Sequence, residues 1–162
     1  MSDSVLESLI ATGVEHEIIE CDPDLADTIS FCEHYGYQIE ESANAILVAG
    51  KNEPKKYVVC LALASTRIDV NKTVKKKLEV RKVSFASPEE AIEITAQTLG
   101  GITPFGLPRD LPLWVDSSVL ECEKIIVGGG SRDRKIYLPP EGLLKLPNTE
   151  VVEGLAVPRP SV

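Results

Sequence analysis

Aromatic residues are scarce in this sequence. They make up 5% of its 162 residues: one Trp, three Phe and four Tyr. The core must therefore rest on Val, Ile, Leu and Ala, and a large interface anchored by aromatic side chains is disfavoured. Histidine is rarer still. His16 and His34 are the only two, and no His/Cys spacing fits a zinc site. No metal and no cofactor is expected. Cys21, Cys32, Cys60 and Cys122 form no C-x-x-C pair and read as reduced thiols, which suits a cytoplasmic protein. No apolar run approaches the roughly 20 residues of a membrane span. The N-terminus MSDSVLESLIATG is acidic and amphipathic, unlike a secretory signal. Positive charge is also short. Lys and Arg number 17 against 25 Asp and Glu, for a net charge of −8. That argues against a broad, sequence-blind nucleic-acid surface but leaves room for a local basic patch.

The chain has the length of one ordinary domain, about 100–200 residues. No repeat or low-complexity segment divides it, so one domain is expected over 1–162. Short strands are expected at VEHEIIEC, ANAILVAG, YVVCLALA, VRKVSFA, LWVDSSVL, KIIVGGG and RKIYLP, with a possible edge strand in EVVEGLAV. YVVCLALA is the most hydrophobic and reads as a central strand buried on both faces. Helices are expected near the N-terminus, in DPDLADTISFCEHYGY and after Asp69 as N-cap. In the second of these, Thr28 is a candidate cap, Ile29 and Cys32 face inward and Gly36 is the stop. The best helix signal is SPEEAIEITAQTLGG. Ser87 and Glu90 suit a capping box, Pro88 suits the first turn and Gly100 suits the stop. PPEGLLKL reads as a short helix. Irregular alternation of short elements points to a mixed α/β or α+β fold, not a regular doubly wound sheet.

Four features bear on chemistry. GGITPFGLP combines glycines that permit unusual torsions with prolines that stiffen the loop. It can hold a small ligand by its backbone, or it is an ordinary helix-to-strand connection. GGGSRDRK is either an anion nest with Arg132 or Arg134 nearby, or a hairpin turn. NKTVKKKLEVRK concentrates Lys72, Lys75, Lys76, Lys77, Arg81 and Lys82. It can meet a phosphate backbone or be a solvated helix face. Asn44 places an amide in the otherwise apolar ANAILVAG, either as a satisfied structural group or facing a site. There is no G-x-S-x-G elbow and no convincing Ser/His/Asp or Cys/His arrangement.

Taken in order, R-I-D before a basic helix, F-A-S-P-E-E, G-G-I-T-P-F-G-L-P and V-D-S-S leading to V-G-G-G resemble the YbaK/EbsC family. This is the aminoacyl-tRNA deacylase superfamily related to the prolyl-tRNA synthetase editing domain. The resemblance runs from about residue 15 to 146. It implies a curved mixed sheet or pseudo-barrel surrounded by helices. It also implies hydrolysis of a small noncognate amino acid from the 3′ end of a mischarged tRNA, with the terminal 2′-hydroxyl and a water taking part. An aminoacyl ester is already activated, so oriented backbone dipoles can suffice without a metal. The implied substrate-binding residues are Gly100, Gly101, Thr103, Pro104, Phe105 and Gly106, with Gly129, Gly130 and Ser131. The basic block Lys72–Lys82 would hold the tRNA body. An aminoacyl-tRNA synthetase is a further possible partner.

The sequence departs from the family at Asn44, which falls where the family usually has a lysine. Ala45 falls where it has a small hydroxyl residue. The family lysine is considered central to the site. An amide can orient a water or the ribose but carries no charge. Two readings follow: an active deacylase in which Asn44 positions a water or hydroxyl, or a tRNA- or synthetase-binding module with lapsed catalysis.

Overall fold

A computed structural model describes residues 3–51, 54–98 and 101–158. The most apolar segment forms the middle of the molecule, as its composition requires. Strand β3 (Lys56–Leu63) is third in a five-stranded sheet of order β5-β2-β3-β6-β9, and Val58, Val59, Cys60 and Leu61 have no exposed surface. Strand β2 (Ala43–Gly50) runs antiparallel beside it, and β5 (Val83–Phe85) pairs antiparallel with the far edge of β2. Strands β6 (Leu113–Asp116) and β9 (Thr149–Val152) add in parallel on the other side.

Alternation along these strands sends side chains to two cores. One face carries Leu47, Val59, Leu61, Leu113 and Val115. Against it pack helix α1 (Ser4–Ala11) and helix α4 (Pro88–Thr95), through Val5, Leu9 and Ala91. The same core takes in one face of a three-stranded sheet, in which β8 (Arg134–Leu138) lies between β1 (Glu17–Glu20) and β7 (Ile125–Gly128). Helix α2 (Thr28–Tyr35) covers the outer face of that small sheet, where Phe31 and Cys32 meet Ile126. The opposite face of the large sheet carries Val48, Val58, Cys60 and Trp114. A π-helical turn over Val70–Val74 running into α3 (Lys75–Leu78) covers it, beside the pair β4 (Thr66–Ile68) and β10 (Ala156–Pro158).

Several local expectations change. The capping box of α4 is present, but the helix ends at Ala96, whose left-handed φ of 59° closes it. Gly100 lies outside the described residues. Asp27, not Thr28, stands at the N-cap of α2, and Ile29 is 66% exposed while Phe31 takes the inward position. Asp69 makes no cap bond to a backbone N–H. Its carboxylate accepts from the Thr73 hydroxyl instead, because the turn that follows is wound to π pitch. PPEGLLKL is a 3₁₀ turn over Pro140–Lys145. The LWVDSSVL strand stops at Asp116, whose buried carboxylate accepts from Ser118 N–H and Ala156 N–H and so turns the chain. EVVEGLAV supplies two strands in different sheets, β9 and β10.

Candidate active site

A cavity of about 360 Å³ opens beside the first half of β2. Its position follows from strand lengths. Ala64 N–H donates to Ser42 C=O at 2.7 Å, and Ala86 N–H donates to Leu47 C=O at 3.0 Å. These two bonds fix the phase of the ladder: even-numbered residues of β2 bond to β3, odd-numbered ones turn toward β5. But β5 pairs only with Val48–Gly50. The N–H and C=O of Ala45 therefore point into the space where β5 has ended. This is an open strand edge inside a cleft, a ready row of backbone donors and acceptors.

The other walls come from three elements. Ala26, Asp27 and Thr28 contribute from the start of α2, Ala86, Pro88 and Ala91 from the α4 region, and Gly128 and Lys135 from the β7–β8 hairpin. Ile102 closes the remaining side. Asn44 lines this cavity, and its amide oxygen accepts from the Thr28 hydroxyl at 2.9 Å. Its NH₂ has no protein partner among the described residues. Asn44 is thus both structural and site-facing: one end of its amide is satisfied by α2, and the other end is left for the cavity.

The two glycine clusters are brought into contact with each other. Gly130 N–H donates to Gly101 C=O at 2.7 Å. A Cβ on Gly101 would lie 2.5 Å from Ser131 N, and one on Gly128 would lie 2.4 Å from Ile102 C=O. The backbones touch, so neither position accepts a side chain. GGGSRDRK is a hairpin turn, and both its arginines have protein partners. Arg132 donates to Pro23 C=O and lies 3.8 Å from Asp27; Arg134 pairs with Asp3 at 2.9 Å. Of the loop residues, Thr103 and Phe105 are fully buried, and Gly106, at φ +75°, packs on the backbone of Ser4 and Val5. The loop reaches the cavity through Ile102 and the hairpin through Gly128; Gly101, Thr103, Pro104, Phe105, Gly106, Gly129, Gly130 and Ser131 do not line it.

Two residues escaped the sequence reading. Gln97 is buried and clamps the glycine loop. Its amide NH₂ donates to Phe105 C=O at 2.9 Å and its amide oxygen accepts from Thr103 N–H at 2.8 Å. A glutamine between helix and glycine loop carries no distinctive spacing. Lys135 is half-buried and lines the cavity as the one cation among its described residues. Its Nζ lies 5.6 Å from the centre of the Phe31 ring, and burial holds its pKa below the ordinary 10.5. Hairpin alternation could have found it, since Ile136 and Leu138 point to the core and Lys135 to the other face.

The basic block is on the opposite face of the large sheet, where Val74 and Leu78 anchor it. Lys72, Lys76 and Lys77 flank a shallow groove there. Lys77 is engaged with Glu150 and with the face of Trp114. Arg81 and Lys82 lead into β5, whose far end meets the cavity rim at Ala86.

The family model of the aminoacyl-tRNA editing domain matches residues 22–146. The chain belongs to this family. The uncharacterized protein YwhH of Bacillus subtilis is 26% identical over 129 residues, 80% of each chain. EbsC of Enterococcus faecalis, named as a candidate Cys-tRNA(Pro)/Cys-tRNA(Cys) deacylase, is 28% identical over 86 residues, 48% of this chain and 52% of that one. The match thus spans about half the length of that relative. Among solved structures, the hypothetical protein APE2540 superposes with a TM-score of 0.84 at 21% identity, covering 96% of this chain and all 100% of the other. A candidate trans-editing enzyme for prolyl-tRNA synthetase superposes at 0.78 with 20% identity, covering 94% and 97%. These two carry the mixed α/β fold of the editing-domain neighbours to this chain. No helix among the described residues is long and apolar enough to cross a membrane.

Proposed function

We propose that this chain is an aminoacyl-tRNA deacylase that hydrolyses a small noncognate amino acid from the 3′ end of a mischarged tRNA. The observation that carries the reading is the cavity itself: an open β2 edge, the Asn44 amide and a glycine-built wall, in a member of an editing family. The walls at Ala26, Ala43, Ala45 and Ala91 are narrow and apolar, which favours a short side chain. Asp27 is the one carboxylate on the wall and suits the α-ammonium of the aminoacyl group. The Asn44 NH₂ and the Ala45 backbone orient the ester and a water. The reaction needs no side-chain nucleophile: water adds to the acyl carbon, the ester bond to the ribose breaks, and the ribose oxygen takes up the proton that water loses. Lys72, Lys75, Lys76, Arg81 and Lys82 supply phosphate contacts for the tRNA.

The test is deacylation of a panel of misacylated tRNAs, read beside filter binding. Turnover of alanyl-, cysteinyl-, seryl- or threonyl-tRNA is expected. Absence of turnover on every member, with tRNA binding retained, overturns the enzyme reading in favour of a binding module. Lys75→Glu with Lys76→Glu should weaken binding and lower the salt slope by about 1 per lost phosphate contact.

A further inference from the structure

We propose that Lys135 is the catalytic cation of this cavity, its ammonium stabilising the oxyanion that forms when water adds to the acyl ester; this rests on the deacylase reading above. Three observations on geometry carry it. First, Lys135 lines the cavity together with Gly128, its direct partner across the β7–β8 hairpin. The hairpin packs backbone to backbone on the glycine loop, close enough that a Cβ on Gly128 would strike Ile102 C=O. The ammonium is thus delivered from a rigid strand, which is what a site that must hold fixed charges needs.

Second, the charge has no protein partner of its own sign-complement. Among the described residues no carboxylate lies within ion-pairing distance of its Nζ; Asp27, on the same wall, is largely exposed, 3.8 Å from Arg132, and acts on Lys135 only through its longer-range charge. Its contact is the Phe31 ring, which tolerates a cation without neutralising it. A half-buried ammonium is unfavourable unless something compensates it, and here no direct ion pair does so, which leaves room for a negative charge formed in the cavity.

Third, the groups opposite it are neutral donors. The Asn44 NH₂ and the Ala45 N–H can hydrogen-bond to an oxygen but cannot balance a full negative charge. A planar ester carbonyl is served by those donors alone. The tetrahedral intermediate, whose carbonyl electron pair has moved onto oxygen, gains from Lys135 as well. That difference between ground state and intermediate is what raises kcat. When the intermediate collapses, the C=O reforms, the ribose oxygen leaves with the proton, and the ammonium is unchanged.

The experiment compares wild type, Lys135→Met, Lys135→Arg and the Asn44→Lys/Lys135→Met double variant. Two probes are used besides mischarged tRNA: a 3′-alanylamido adenosine, planar and uncharged at its amide, and its phosphonate counterpart, tetrahedral and anionic at phosphorus. Lys135→Met should lower kcat by about 10²–10³-fold with KM within about threefold, and should lose the preference for phosphonate over amide. Lys135→Arg should stay within about tenfold of wild type, and the double variant should regain part of the lost kcat. A higher KM at unchanged kcat, or equal weakening of both probes, would place Lys135 on an acceptor-end phosphate and overturn the proposal. So would a double variant no faster than Lys135→Met. If wild type turns over no substrate, the deacylase reading fails separately; the probe pair then still decides whether Lys135 recognises an anionic tetrahedral centre.

Discussion

The Thr28 hydroxyl donates to the Asn44 amide oxygen at 2.9 Å, joining the first turn of α2 to the open edge of β2. This one bond sets which end of the amide meets the cavity. It also ties together two of the elements that form the cavity walls. Thr28→Val keeps the shape and removes the donor. The amide is then free to turn its oxygen inward, where it repels an ester carbonyl. Deacylation should fall about tenfold, close to 1.4 kcal/mol of barrier, with a stability loss near 1 kcal/mol. Thr28→Ser should retain most activity. Steady-state kinetics and urea denaturation check both.

Gly128→Ala tests the contact between the two glycine clusters. The new Cβ would sit 2.4 Å from Ile102 C=O and 3.0 Å from Gly101 C=O, both backbone atoms. Overpacking of this kind costs about 1–3 kcal/mol. The glycine loop must move off the hairpin, so activity should fall further than stability predicts. Gly154→Ala is a control: its φ is positive, at +75°, but its Cβ would meet nothing within 4 Å. It should lower stability through backbone strain and leave activity intact.

Glu90 carries an acid-sensitive share of stability. The Tyr57 hydroxyl donates to its carboxylate at 2.8 Å, the Ser87 N–H of the capping box donates to it, and Lys55 pairs with it at 3.2 Å. These partners lower its pKa from 4.5 to about 2. A carboxyl with a depressed folded pKa contributes stability above its unfolded value, and that contribution is lost as the pH falls through the folded pKa. Glu90→Gln should therefore be less stable than wild type at pH 7, and the gap should close between about pH 4.5 and pH 2. Thermal melts across that range check it.

Lys135 has the opposite sign. Burial, then the neighbouring charge of Arg132, lowers its pKa, while Asp27 and the Cys21 and Cys32 thiols act the other way. A lysine with a depressed folded pKa destabilises the fold while charged, and the penalty is relieved as the pH rises through the folded pKa toward the unfolded value of 10.5. Lys135→Met should be at least as stable as wild type at neutral pH, and the advantage should shrink in alkaline buffer. Higher stability with lower kcat would be the mark of a group kept for function.

Much of the fold was legible because its signals are local. Alternation and apolar runs placed β2, β3 and the β7–β8 hairpin, and the Ser87–Glu90 capping box marked where α4 begins. Where the local signal was ambiguous, packing decided. Ala96 ends α4 in a left-handed turn that alanine does not advertise, and Gln97 clamps the loop that follows through Phe105 C=O and Thr103 N–H. Ile29 was expected inward from its place in the helix pattern, but Phe31 is the larger apolar side chain and takes the buried position against Ile126.

The sequence by itself determined that only two histidines and four scattered cysteines are on offer, and that Asn44 interrupts a greasy strand. Those are properties of residue type and order. Only the tertiary structure decided what Asn44 is for. The length of β5 leaves the edge of β2 bare, Thr28 takes the amide oxygen, and a hairpin more than 80 residues further along the chain brings Lys135 to the same space. None of this is readable from neighbours in the chain. A strand edge, a hydrogen-bond direction and a cation across a cleft are relations between distant segments, and packing alone creates them.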